Sequence, residues 1–126
     1  MQAPVKSDKT FSISEMAKHF DVTPRTIRFY EDQGLLNPTR LENQRIYSER
    51  DFVRLKLILR GKRIGFSLAE LKKTLDLYDT QTGEDAQAEF VLETIKNHRK
   101  SLQQKLSDIE ATLQEMDDIE QRIKNR

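Results

Sequence analysis

Apolar residues along this chain recur mostly with the period of a helix, in a few short stretches and one long one, with polar turns between them. Ser12 or Ser14 caps a first short helix that runs through Phe20, with Glu15 in its first turn. Asp21 and Val22 make a tight turn. Thr23 is the N-cap of a second helix and Pro24 its first residue, where a missing N–H costs nothing. That helix runs to about Gln33 and stops at Gly34. A turn over Leu35–Pro38 leads into "RLENQRIY", whose short extended arms about Glu42, Asn43 and Gln44 predict a small hairpin. Ser48 opens a third helix, with Phe52, Leu55, Ile58 and Leu59 at helical spacing, which ends at Gly65. Ser67 and Glu70 form a capping box for a fourth helix that carries Leu68, Leu71, Leu75 and Leu77.

The longest pattern lies in residues 87–126. Ile95, Leu102, Ile109, Met116 and Ile123 stand seven apart, and Leu92, Leu106 and Leu113 share a second register with Arg99 and Glu120. This is a heptad stripe with two polar interruptions. It predicts one helix far longer than the core of a small domain, and such a helix needs a partner chain. The expected layout is a tail over residues 1–10, a head domain over 11–78, a linker over 79–86 and a dimerisation helix over 87–126. The fold class is mainly α.

Charge sharpens the division. Of 126 residues, 34% are charged and 7% aromatic, more polar than one dense globule requires. The formal net charge of +1 hides an asymmetry. Fifteen Lys/Arg against nine Asp/Glu lie in residues 1–73, and seven against twelve in residues 74–126. A basic half suits a polyphosphate, since neutralising phosphates releases condensed counterions. Within the long helix, Lys96, Arg99, Lys100 and Lys105 precede Asp108, Glu110, Glu115, Asp117, Asp118 and Glu120. A parallel pair stacks like charges, whereas an antiparallel pair sets basic against acidic. The expectation is an antiparallel homodimeric coiled coil, with two heads at opposite ends reading an inverted repeat.

The first two helices have helix-turn-helix spacing: small Ala17, then Asp21 where the turn favours positive φ, then Ile27 facing back into the pair. On the second helix, Thr23, Arg25 and Thr26 lie at the end that enters the major groove, and Arg25 can donate two hydrogen bonds to guanine. Arg28 and Tyr30 are placed to grip phosphate, with Phe29 between them; Phe29 and Tyr30 are as well suited to packing partly in the core. Arg40, Arg45 and Tyr47 decorate the hairpin, which reads as a backbone-clamping wing. Lys56, Arg60, Lys62 and Arg63 make the third helix basic.

Catalytic chemistry has little support. His19 and His98 have no nucleophile or ligand set nearby in sequence, Asp117 and Asp118 point to different faces of a helix, and no phosphate-binding glycine loop is present. The chain has no Cys, which excludes disulfides and thiolate metal sites, and no apolar run approaches the roughly 20 residues of a bilayer span. An enzyme, a metal site, a cofactor and a membrane partner are therefore not expected, and the cytoplasm is the expected location.

"FSISEMAKHFDVTPRTIRFYEDQGLL" followed by "RIYSERDFVRLKLILRGKRIGFSLAEL" resembles the MerR family of bacterial transcription regulators, over roughly residues 11–77. The motifs "TIRFYEDQGLL", "RIYSERD" and "IGFSLAE" agree in order. The resemblance implies a winged helix-turn-helix with a second wing from the third and fourth helices. It implies DNA contacts by Arg25, Arg28, Tyr30, Arg40, Arg45, Tyr47 and Lys62, and an antiparallel coiled-coil dimer. It further implies promoter distortion that realigns the elements read by RNA polymerase. "RLKLILRGKRIGFSLAELKKTLDLYD" looks most like the branch controlling leucine, isovalerate and fatty-acid catabolism genes. Metal-sensing relatives use cysteines that are absent here, and with the chain ending at Arg126 no large ligand domain is expected. An effector would then bind around Tyr78, Asp79–Asp85 and Phe90, positions that ordinary packing explains equally well. Two other readings remain open: a coiled-coil adaptor whose basic head binds an acidic partner, and a sequence-indifferent, nucleoid-type DNA binder.

Overall fold

The computed structural model describes residues 9–78 and 83–126, which form two compact units, one reaching Gln87 and the other Ala88–Arg126. In chain order the elements are β1 (Thr10–Phe11), α1 (Ile13–Phe20), α2 (Pro24–Asp32), β2 (Thr39–Leu41), β3 (Gln44–Ser48), α3 (Glu49–Arg63), α4 (Leu68–Tyr78) and α5 (Gly83–Lys124). Among the described residues no helix is long and apolar enough to cross a membrane.

The helix starts follow local chemistry. Ser12 caps α1 by accepting the Glu15 N–H at 3.1 Å, while the Glu15 carboxylate accepts the Ser12 N–H at 2.8 Å. Thr23 caps α2 with Pro24 behind it, and the Ser67 and Glu70 side chains exchange the same reciprocal bonds before α4. The helix ends share one device. After α1, α2 and α3 the backbone turns left-handed, at Asp21 (φ 55°), Gly34 (φ 80°) and Gly65 (φ 97°). In each case two amide N–H groups fold back onto the last free carbonyls: Val22 to Ala17 and Asp21 to Lys18, Leu35 to Tyr30 and Gly34 to Glu31, Phe66 to Gly61 and Gly65 to Lys62. Asp21 takes the position a glycine would hold more cheaply, as its short polar side chain tolerates that conformation.

Three antiparallel strands in the order β1-β3-β2 make the sheet. The β2–β3 hairpin turns on Glu42 (φ 51°) and Asn43 (φ 69°), a two-residue turn of the kind that matches strand twist, with Gln44 already in β3. Strand β1 is an addition to the expected hairpin and corrects the expected tail: Thr10 pairs with Ser48 and Phe11 with Tyr47. The open edge of β3 supplies backbone partners, and the Phe11 ring stacks on Phe52 with centroids 5.0 Å apart. The rest of that tail, residues 1–8, lies outside the described residues. Of the expected linker, residues 79–82 lie outside them as well, while 83–86 form the first turn of α5. Glu84 and Asp85 there meet the positive end of the helix dipole, which favours helix over a polar loop.

The core of the first unit gathers Met16 and Ala17 of α1, Ile27 of α2, Leu35 and Leu36 behind it, Leu55 and Ile58 of α3, and Leu71 and Leu75 of α4. Asp51 ties this core to the chain before it. Nearly buried, it accepts hydrogen bonds from the Ser48 N–H at 3.0 Å, the Ser48 hydroxyl at 3.1 Å and the Asn37 N–H at 3.4 Å. Arg54 reinforces the same junction by donating from Nε to the Leu35 carbonyl at 3.0 Å. These bonds fix where the hairpin leaves α2.

Helix α5 runs for 42 residues, about 63 Å at 1.5 Å rise per residue. In the second unit Leu92, Leu102, Leu106, Ile109, Leu113, Met116 and Ile123 are all exposed, and Ile95 is half-buried. Ile119, outside both heptad registers, is exposed as well and widens the stripe beside Met116 and Ile123.

Candidate nucleic-acid interface

Helix α2 sorts its residues by face. Ile27 is wholly buried, which leaves Arg25, Arg28 and Phe29 on the opposite side, three and four residues apart and exposed. Among the described residues neither Arg25 nor Arg28 holds an ion pair. Both guanidinium groups thus reach solvent with their donors uncommitted to protein. Phe29 stands beside them, 45% exposed, its ring edge-on to Tyr30 at 5.5 Å. The Thr23 oxygen accepts the Thr26 N–H at 3.1 Å and lies 3.1 Å from the Thr26 hydroxyl, so this pair builds the start of the helix.

The two tyrosines expected to touch DNA, Tyr30 on α2 and Tyr47 on the wing, have little surface to offer. Tyr30 is nearly buried and Tyr47 wholly so, because each projects from the inner face of its element and offers a large ring to the core. Burial raises the pKa of both, and that of Tyr47 is pushed up to about 12, with the Glu31 carboxylate adding to the rise. The Tyr47 hydroxyl makes no well-formed hydrogen bond among the described residues, its approach to the Glu31 carboxylate falling short of one. A buried hydroxyl without a partner costs on the order of 1–3 kcal/mol. Tyr47→Phe is therefore expected to stabilise the chain by about 1 kcal/mol near neutral pH. The sign above neutral follows from the raised pKa. The unfolded chain gives up the Tyr47 proton near pH 10 and the folded chain only near 12, so alkali favours unfolding across that window. The Phe variant lacks this contribution, and chemical denaturation at neutral and alkaline pH measures both effects.

Between α2 and the hairpin stands Glu31, which the sequence reading passed over. Its carboxylate accepts from Arg45 Nε at 2.7 Å and from Arg40 Nη2 at 3.4 Å, so both wing arginines converge on one acid. Its partners lie nine and fourteen residues away in the chain. No spacing rule within α2 points to them. Lys62 is exposed at the end of α3, in a last turn that also carries Arg60 and Arg63. The first unit thus joins the α2 helix to the hairpin through Glu31 and carries a basic last turn on α3.

Other chemistry is sparse. Among the described residues no group of three or more His, Asp or Glu side chains is placed to hold a metal ion. Of the residues considered for an effector, Tyr78 is exposed, Phe90 is half-buried, and Asp79–Thr82 lie outside the described residues.

Known proteins match this arrangement. The family profile described as "MerR HTH family regulatory protein" matches residues 11–77, and that described as "MerR, DNA binding" matches residues 52–119. The chain is 30% identical over 115 residues to the HTH-type transcriptional regulator ZntR of Escherichia coli (strain K12), covering 90% of this chain and 75% of that protein. It is similar to the solved structure of a MerR family transcriptional regulator from Bacillus cereus, at 31% identity and a TM-score of 0.68, covering 87% of this chain and 79% of that one. It is also similar to HiNmlR, a MerR family regulator lacking the sensor domain and solved bound to promoter DNA. There the identity is 25% and the TM-score 0.57, with 83% of this chain and 79% of that one covered.

Proposed function

The chain belongs to the MerR family of helix-turn-helix regulatory proteins, a DNA-binding transcriptional regulator and not an enzyme, and we propose that it acts as a homodimer on an inverted-repeat promoter operator. One observation carries the reading at residue level: Arg25 and Arg28 stand exposed on one face of a capped α2, without ion pairs among the described residues. Arg25, near the helix start, reads a base edge, with Thr23 and Thr26 shaping its approach. Arg28 and Phe29 lie against the backbone beside it, and Arg40 of the wing and Lys62 in the last turn of α3 contact phosphates further out.

Dimerisation rests on the exposed stripe of α5 and on its basic-then-acidic charge order, which favours antiparallel pairing. Bending or untwisting the promoter costs on the order of 1–6 kcal/mol, which contacts from both heads offset. RNA polymerase at the realigned promoter, in the cytoplasm, is the protein partner. The target genes we propose are those of leucine, isovalerate or fatty-acid breakdown, on the likeness of residues 54–79 to that branch of the family.

Site selection from random duplex DNA at physiological salt tests this. A palindrome enriched upstream of such genes supports the whole reading. A palindrome elsewhere removes the catabolic assignment alone, and tight binding without enrichment favours a sequence-indifferent binder. Arg25→Ala is expected to relax preference at one operator position, a loss of about 1–3 kcal/mol for the preferred base. Arg40→Ala is expected to weaken binding to every sequence alike. Equal effects from the two variants would argue against base reading by α2.

A further inference from the structure

The two wing arginines face each other directly across the hairpin, Arg40 opposite Arg45, a register in which like charges repel. The Glu31 carboxylate relieves that repulsion unevenly. Oε1 accepts from Arg45 Nε at 2.7 Å, the length of a strong charge-assisted bond. Oε2 accepts from Arg40 Nη2 at 3.4 Å, near the limit of a hydrogen bond. Exposure divides them the same way: 23% for the Arg45 side chain and 56% for Arg40, with Glu31 itself at 17%. Two residues beyond Arg45, and so on the same face of β3, Tyr47 is wholly buried.

We propose that Glu31 assigns the two arginines different tasks in DNA binding: Arg45 is a positioning residue that ties the wing to α2, and Arg40 is the phosphate ligand. The inference rests on the DNA-binding reading above and departs from the expectation that both arginines touch DNA. A phosphate reaching for Arg45 finds Nε committed to Glu31 and only 23% of the side chain exposed, and drawing the guanidinium away would break a short bond and leave a largely buried carboxylate uncompensated beside a polyanion. A phosphate reaching for Arg40 displaces only the long, exposed contact. With Arg45 still in place Glu31 remains paired, so the wing keeps its angle to α2 while Arg40 swings to the backbone.

The salt dependence of operator binding separates the two roles, because it counts phosphates neutralised rather than affinity lost. With the palindrome from site selection as probe, Arg40→Gln should lower the slope of log K against log salt by about 0.9 per chain. Arg45→Gln should lose roughly tenfold in affinity with the slope unchanged. Arg45→Lys, which retains a cation for Glu31, should recover most of that loss. In a Glu31→Gln background, Arg45→Gln should cost nothing further. In the wild-type chain, nuclear magnetic resonance should show the Arg45 Nε–H signal unmoved by operator while the Arg40 guanidinium signal shifts, a readout that requires no variant to fold. A slope change in Arg45→Gln equal to that in Arg40→Gln, or an Arg45 Nε–H signal that moves on binding, overturns the assignment while leaving the regulator reading intact. A wild-type chain that binds no duplex overturns both.

Discussion

Leu106→Asp combined with Leu113→Asp is expected to leave the chain monomeric and to lower operator affinity by about a hundred- to ten-thousandfold. Both leucines lie on the heptad stripe of α5, each 56% exposed. Burying one against a partner contributes roughly 1.5–3 kcal/mol, so four per dimer supply at least about 6 kcal/mol. Aspartates at these positions remove that term and bury four carboxylates in a seam that is otherwise mostly apolar. The effect on DNA is indirect. The first unit with its α2 face is untouched, but two half-sites no longer bind as one event. Sedimentation gives the mass and operator titration the affinity. A double variant that stays dimeric would show that other residues hold the chains together, with Ile119, Met116 and Ile123 the first to replace next.

Asp51→Ala should produce the largest loss of stability from a single polar side chain, about 2–4 kcal/mol. The carboxylate satisfies the Ser48 N–H and hydroxyl at the start of α3 and reaches the Asn37 N–H fourteen residues earlier. Its loss leaves those donors short of partners in a largely buried place and removes half of a capping box. For a domain of this size such a change lowers the melting temperature by more than about 8 °C. Asp51→Asn, which keeps one carbonyl oxygen, should fall between the variant and the wild type. Thermal unfolding followed by circular dichroism measures all three. A melting temperature for Asp51→Ala within experimental scatter of wild type would mean that water takes over these bonds.

Much of the fold could be read from the chain because its helix ends are chemically local. Ser12 with Glu15, Thr23 with Pro24, and Ser67 with Glu70 each act within three residues, so spacing alone identifies them. Asp21 in a left-handed turn was legible for the same reason. What depended on residues far apart was not. Strand β1 consists of two residues that owe their shape to β3, 36 to 38 positions later. Tyr30 and Tyr47 pass equally well for surface or core in a one-dimensional pattern, and packing alone sent both inward. Glu31 illustrates the limit best: its neighbours in sequence name no partner for it, and only the fold of the hairpin brings Arg40 and Arg45 to it. The α2 face needed no such information, since burying Ile27 forces Arg25 and Arg28 outward.

With the pairing proposed for it, the apolar stripe along α5 also links the chain's lifetime to its abundance. A solitary helix keeps its backbone bonds by a narrow margin, so a chain that has not met another frays there, exchanges its amides and offers proteases a substrate. Association withdraws that opening by mass action, and occupied operator sites withdraw it further. Scarce copies would then be cleared faster than plentiful ones. With the proposed pairing, a chain supplied below a threshold set by the stickiness of that helix face would not accumulate.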